Sequence, residues 1–132
     1  MKPGLLNITA YRWQPFVQTI RFENVDFTGA VFKMEVRLYK DALQTPLISL
    51  TNSAAPSQGI SVAKSVVDGV TVSDVTIRID KATIDATEPF TGSNRTLGAD
   101  VRIKYDLHIT PPGQLERRWI EGDFIIAAGV TK

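Results

Sequence analysis

The most regular stretch of the chain lies between Val101 and Ile109, where Val101, Ile103, Tyr105, Leu107 and Ile109 alternate with Arg102, Lys104, Asp106 and His108. A period of two places the first set on one face of a strand and the second on the other, so the pattern predicts a strand buried on one side. Pro111-Pro112-Gly113-Gln114 can hold a turn but cannot continue a ladder, and the run from Leu115 to Ile126 that follows predicts the returning strand of an antiparallel hairpin. The same period recurs upstream. Phe16, Gln18, Ile20 and Phe22 oppose Val17, Thr19 and Arg21, and Phe32, Met34, Val36 and Leu38 oppose Lys33, Glu35, Arg37 and Tyr39. The second of these alternations demands one buried face.

Between them and the C-terminal hairpin the apolar runs are shorter and broken by turn residues. Leu47, Ile48 and Leu50 form a brief apolar run. Ile60 to Val67 and Val70 to Ile79 flank Asp68-Gly69, a dipeptide suited to the positive φ angles of a tight hairpin turn, with Val75, Ile77 and Ile79 expected inward and Thr76, Arg78 and Asp80 outward. Asp80 is expected to cap one helical turn over Lys81 to Ala86, which Pro89 prevents from extending. The segments Thr51 to Gly59 and Glu88 to Ala99 are predicted surface loops. Asn7 to Gln14 has no clear period before Pro15, and residues 1–15 are read as an extended arm or edge segment able to add a strand to a neighbour's sheet. About seven or eight short strands without a long amphipathic helix predict an all-β fold, an antiparallel two-sheet sandwich of immunoglobulin-like type, as a single domain over residues 1–132.

Composition narrows the picture mainly by exclusion. The chain has no cysteine, which removes disulfides and thiolate metal sites and is compatible with assembly in a reducing cytoplasm. Fifteen basic residues against fourteen acidic ones leave a formal charge of +1, too balanced for the field that concentrates nucleic acid or an anionic membrane, so neither is an expected partner. The N-terminal residues lack an apolar core of signal-peptide length, and no stretch approaches a membrane span, so a soluble protein without a targeting segment is expected.

Catalytic chemistry finds little support in the residues. His108 is the only histidine, on an outward strand face with Lys104 and Asp106, and no serine or cysteine is tied to it by a nucleophile motif. Asp74, Asp80, Asp85 and Asp100 lack the spacing of a calcium loop, and the scattered glycines serve turns better than a phosphate cradle. Asn7-Ile8-Thr9 and Asn94-Arg95-Thr96 match a glycosylation sequon by chance. No catalytic residue, metal or cofactor is therefore expected. The aromatics hold the remaining interest. Tyr11, Trp13 and Phe16 cluster near the N-terminus, and Trp119 follows Arg117 and Arg118; rings beside arginine are enriched at interfaces. Tyr11, Trp13, Phe16, Arg117 and Trp119 are the candidate interface residues, with Tyr11 and Trp13 the better ones, since Phe16 or Trp119 is equally suited to plugging a core.

Asp26-Phe27-Thr28-Gly29-Ala30-Val31-Phe32-Lys33-Met34-Glu35-Val36-Arg37, then Tyr105-Asp106-Leu107-His108-Ile109-Thr110-Pro111-Pro112-Gly113, then Arg118 to Phe124 and Gly129-Val130-Thr131, together resemble small phage and prophage proteins of tail-gene clusters. Related β-sandwich domains stand at the N-terminus of some baseplate and fibre-bearing proteins as adaptors. The resemblance implies a non-enzymatic virion structural protein of the tail or baseplate, assembled in the bacterial host cytoplasm. It would join other tail or fibre proteins, in multiple symmetric copies or as a homo-oligomer. Because no receptor-binding module follows the sandwich, a partner on a separate polypeptide is expected. The alternatives are a carbohydrate-binding, host-recognition module stacking sugars on Trp13 or Trp119, a tail assembly factor absent from the mature particle, and a glycan hydrolase with paired carboxylates.

Overall fold

A computed structural model describes residues 2–87 and 98–131. The elements are β1 (Gly4–Leu5), β2 (Ile8–Tyr11), β3 (Phe16–Glu23), β4 (Val31–Arg37), β5 (Ile48–Thr51), β6 (Gly59–Val67), β7 (Val70–Ile79), α1 (Lys81–Asp85), β8 (Val101–Thr110) and β9 (Arg117–Ala127). The larger sheet has six strands in the order β1-β9-β8-β4-β5, with β2 also on β9, and the smaller has three in the order β3-β7-β6.

Each long alternation becomes a strand with its apolar set inward. Phe32, Met34 and Val36 of β4, Ile103, Tyr105, Leu107 and Ile109 of β8, and Val75, Ile77 and Ile79 of β7 are all buried and share one core with Ile60, Phe124 and Ile126. The two sheets meet through these rows, and Phe16 of one lies 6.0 Å from Phe124 of the other, ring centre to ring centre. Asp68 and Gly69 both take positive φ, +51° and +78°, so the two-residue turn joins β6 to β7 with Val67 opposite Val70. Gln114 N–H donates to Pro111 O at 3.0 Å, closing the β8–β9 turn.

Two expectations need correction. Leu38, in phase with the inward row of β4, is exposed, because the strand ends at Arg37 and the chain turns away. Asp80 stands at the N-cap of α1, but its side chain makes no capping bond; its carbonyl accepts from Thr83 and Ile84 N–H instead. One core residue has no counterpart in the alternation: the segment after β3 sends Phe27 into the core, where it touches Phe22, Phe32 and Trp119 edge-on. Phe27 N–H is held by the buried Ser73 Oγ at 2.9 Å, and that hydroxyl donates to Val25 O at 2.9 Å.

The N-terminus takes one of the two forms expected of residues 1–15. Instead of reaching out as an arm, β1 and β2 run parallel to β9 of their own chain, Gly4 opposite Ile120 and Ile8 opposite Phe124 through Tyr11 opposite Ala127. Ile8 and Ala10 are fully buried, so the segment is an integral edge of the six-stranded sheet. A four-residue alternation with alanine as one inward residue is too brief to stand out as a strand, yet it suffices once β9 offers a ladder. Gly122 decides how closely it docks. A methyl group on Gly122 would lie 2.2 Å from Leu6 O, a distance no side chain allows, and the bare backbone admits the β1–β2 crossing. Tyr105, opposite Gly122, donates its hydroxyl to Leu6 O at 2.6 Å, and Asp123 N–H donates to Asn7 Oδ1 at 3.0 Å. Burial pushes the Tyr105 hydroxyl well above the usual phenol range, so it stays a donor.

Candidate functional site

The five aromatic and basic candidates do not form one surface. Phe16 is buried in the core, which is the packing role weighed against its interface role. Trp119 is the extra residue where the β8–β9 register slips between Leu107/Ile120 and His108/Arg118. It is half-buried and sits edge-on to Phe27 at 5.1 Å and Phe22 at 6.0 Å. Arg117 beside it is exposed, and among the described residues no ion pair involves it. Tyr11 is exposed at the opposite end of β9, about 30 Å of strand away. Trp13 takes a positive φ of 74° and is locked onto α1, its N–H donating to Asp85 Oδ1 at 3.0 Å, with Arg12 over the ring at 4.3 Å and Lys81 at 5.5 Å. Of the two predicted surface loops, Thr51 to Gly59 meets the start of β6 through Ser53 N–H donating to Ile60 O at 2.9 Å. The other, Glu88 to Ala99, lies outside the described residues except for Gly98 and Ala99.

What the fold does assemble is the outward face of β4, β8 and β9. Register stacks their polar positions into three cross-strand rows: Lys33, His108 and Arg118; Glu35, Asp106 and Glu121; Arg37, Lys104 and Asp123. Three carboxylates directly opposite one another repel, and the cations of the flanking rows offset this. Arg37 reaches Glu35 at 2.8 Å, Arg118 reaches Asp106 at 3.1 Å and Glu121 at 3.4 Å, and Lys104 and Arg102 both reach Asp123, Arg102 at 2.6 Å. His108 bridges Asp106 at 3.4 Å and Glu116 at 3.3 Å. The turn after β4 overhangs this face. Arg37 ties it down by donating to the carbonyls of Ala42 at 2.9 Å and of Gln44, while Lys40 leans to Glu121 at 3.7 Å. Between overhang and sheet lies an open groove of ≈ 510 Å³, rimmed by Tyr39, Lys40 and the almost wholly exposed Leu43.

Two carboxylates of this face are held in their charged form. Burial alone would raise the Glu35 carboxyl, but the Arg37 hydrogen bond and the Lys33 and Arg37 charges outweigh it and hold the group below its usual range. Lys104 and then Arg102 hydrogen bonds likewise hold Asp123 down. A general acid needs the opposite shift. Among the described residues no cluster of three or more metal-ligating side chains forms, and no helix is long and apolar enough to cross a membrane.

The β4 and β8 residues were legible as outward positions on their own strands, whereas Arg118, Glu121 and Asp123 of β9 were not, because the extra residue at Trp119 breaks period two. Their adjacency was not legible either, because it depends on β4 and β9 both pairing with β8, which brings residues some 70 to 85 apart in sequence into one row. No protein-family model matches the chain, and no curated protein matches it.

Proposed function

We propose that the chain is a non-enzymatic interaction module with an immunoglobulin-like β-sandwich fold, acting as an adaptor that joins structural proteins of a phage tail or baseplate. The fold reading is supported by strand order. In an immunoglobulin variable-type domain the B, E and D strands form one sheet and G, F, C and C′ the other. Here β3-β7-β6 and β9-β8-β4-β5 follow the same order, with β2 added in parallel to the last strand. The chain departs from antibody domains in lacking the cysteine pair. Its β8 tyrosine bonds to Leu6 on the neighbouring strand system rather than to a nearby corner.

The observation that carries the functional reading is the charged face of β4, β8 and β9. It presents both signs at fixed positions over a broad, open surface, and solvent-screened ion pairs of this kind add little to stability, so their ordering acts on what docks there. The narrower setting, a phage particle, is supported by the resemblance borne by the Asp26 to Arg37 and Tyr105 to Gly113 segments. A sugar-stacking role fits less well, since Trp119 spends its ring in the Phe22–Phe27 cluster and Trp13 has Arg12 and Lys81 over its own.

Mass spectrometry of purified particles, with copy number per particle, tests the setting. Presence at a multiple of three or six is expected, and absence from mature particles would move the reading to an assembly factor. The face is tested by Lys104→Glu combined with Arg118→Glu. The variant loses two of the cations that offset the carboxylate row and should be somewhat less stable; with its folding verified by circular dichroism, it should enter particles at least tenfold less, and unchanged incorporation would refute the assignment of this face.

A further inference from the structure

Among the described residues the three-stranded sheet has two outer edges, β3 and β6, and they are not equivalent. The two-residue turn at Asp68-Gly69 makes Val67 and Val70 a hydrogen-bonded pair, and the alternation of an antiparallel ladder then fixes which way every backbone group in the sheet points. Val72, Asp74, Thr76 and Arg78 bond to β6, while Ser73, Val75, Ile77 and Ile79 bond to Phe22, Ile20, Gln18 and Phe16 of β3. Asn24 N–H on Thr71 O at 2.8 Å continues that series. The N–H and C=O groups of Val17, Thr19, Arg21 and Glu23 therefore point away from the sheet, and among the described residues no backbone bond engages them.

The β6 edge is defended. Ser53 N–H occupies Ile60 O and Asn52 bridges Ile60, so the segment after β5 covers the start of that edge; Lys64 on the rest of it is paired with Asp26 at 3.1 Å. On β3 no backbone segment among the described residues gives such cover, and its cation is withdrawn: Arg21 is folded back onto Asp74 of β7, two bonds at 2.8 and 3.1 Å, and Thr19 bonds Thr76 at 2.9 Å. Nothing charged is left free to guard the edge at those two positions. The inward row of β3 also stops short of full burial, with Gln18, Ile20 and Phe22 half-buried where Val75, Ile77 and Ile79 on β7 are sealed. Phe22 abuts Trp119, itself half-buried, at 6.0 Å, and Val17 is exposed on the outer face.

We infer that the β3 edge accepts an extended segment of a partner polypeptide as a fourth strand, with apolar residues at alternate positions of that segment covering Ile20 and Phe22. The unpaired main-chain groups supply the binding ladder, and the half-covered apolar row selects the alternation. A second copy of this chain fits worse. Full antiparallel overlap of two β3 strands sets Val17 against Glu23 and Thr19 against Arg21 of the copy, so no opposite charges meet. The inference deepens the adaptor reading by naming what one joint takes, and its test does not depend on particles.

The probe is a capped synthetic peptide with the sequence of residues 101–110, which carries the required alternation, and the control is the same peptide with its five apolar residues replaced by serine. Amide hydrogen exchange is followed by NMR on the whole chain. Val17, Thr19, Arg21 and Glu23 should exchange freely in the unliganded protein and at least tenfold more slowly with the probe, but not with the control. Val17→Pro removes one outward N–H that the native sheet does not use, and should abolish the protection. Should that variant fail to fold, Val17→Lys, which keeps the N–H and adds an edge charge, should weaken probe binding at least fivefold. Slow exchange of these amides in the free protein would overturn the inference by showing a closed edge, and slowing that grows with protein concentration would do so by making a second copy the occupant. Protection on β6 alone, or none, would overturn it equally.

Discussion

Gly122→Ala puts the N-terminal docking to a quantitative test. Alanine is ordinarily the better strand residue by about 0.5–1 kcal/mol, since glycine loses more freedom on folding, so the local preference alone favours the variant. Here the new methyl would meet Leu6 O at 2.2 Å and Leu6 C at 2.8 Å, backbone atoms that yield only if the segment around Leu6 moves. That movement endangers three hydrogen bonds: Tyr105 to Leu6 O at 2.6 Å, Leu6 N–H to Glu121 O at 2.9 Å and Asp123 N–H to Asn7 Oδ1 at 3.0 Å. At about 1 kcal/mol each the loss is about 3 kcal/mol, and after the local gain the variant should be destabilised by about 2 kcal/mol. A double-mutant cycle with Tyr105→Phe isolates the cause. Alone, Tyr105→Phe should cost about 1 kcal/mol; in the Gly122→Ala background, where the bond is already gone, it should cost close to nothing. Equilibrium urea unfolding of the parent, both single variants and the double variant gives all the terms. A Gly122→Ala protein as stable as the parent, or a Tyr105→Phe cost equal in both backgrounds, would refute the close-approach argument.

Other consequences follow from the same packing. Ile8→Ala should cost about 2–5 kcal/mol in urea unfolding, and deletion of residues 1–15 should abolish cooperative unfolding, because Ile8, Ala10 and β2's ladder to β9 are parts of the core. Ser73→Ala leaves Phe27 N–H and Val25 O without their buried partner and should cost about 1–3 kcal/mol, measured the same way. Gly69→Ala, at φ +78° in open space, should cost about 1–2 kcal/mol from backbone strain alone, a value that thermal unfolding can check. Hydrogen bonds from the Thr28 side chain and N–H, then Lys64, hold the Asp26 carboxyl at about 2. A depressed folded value means the stabilisation is fully present above the ordinary carboxylate range near 4 and is lost as pH falls toward 2. Carbon-13 titration should find the Asp26 midpoint near 2, and Asp26→Asn should flatten the acid limb of the stability curve; a midpoint near 4 would contradict the hydrogen-bond account.

Local alternation determined which residues face inward on β3, β4, β7 and β8, because a pleated strand forces period two and a single core admits only one face. Asp68-Gly69 determined the β6–β7 turn, since those residues tolerate the positive φ it requires. Tertiary structure decided what local pattern leaves open. Whether residues 1–15 were an arm or an edge turned on β9 offering a parallel ladder and on Gly122 giving room, neither visible in a four-residue alternation. Phe27 in a turn became core because Ser73, 46 residues away, satisfies its backbone. Charged positions scattered over three strands became one face because β8 pairs with both β4 and β9, and among the described residues β3 keeps an unpaired edge because the first strands joined the opposite sheet. Alternation is a property of the backbone's own geometry and can be read along the chain; strand neighbours are chosen by long-range packing, which the order of residues does not display.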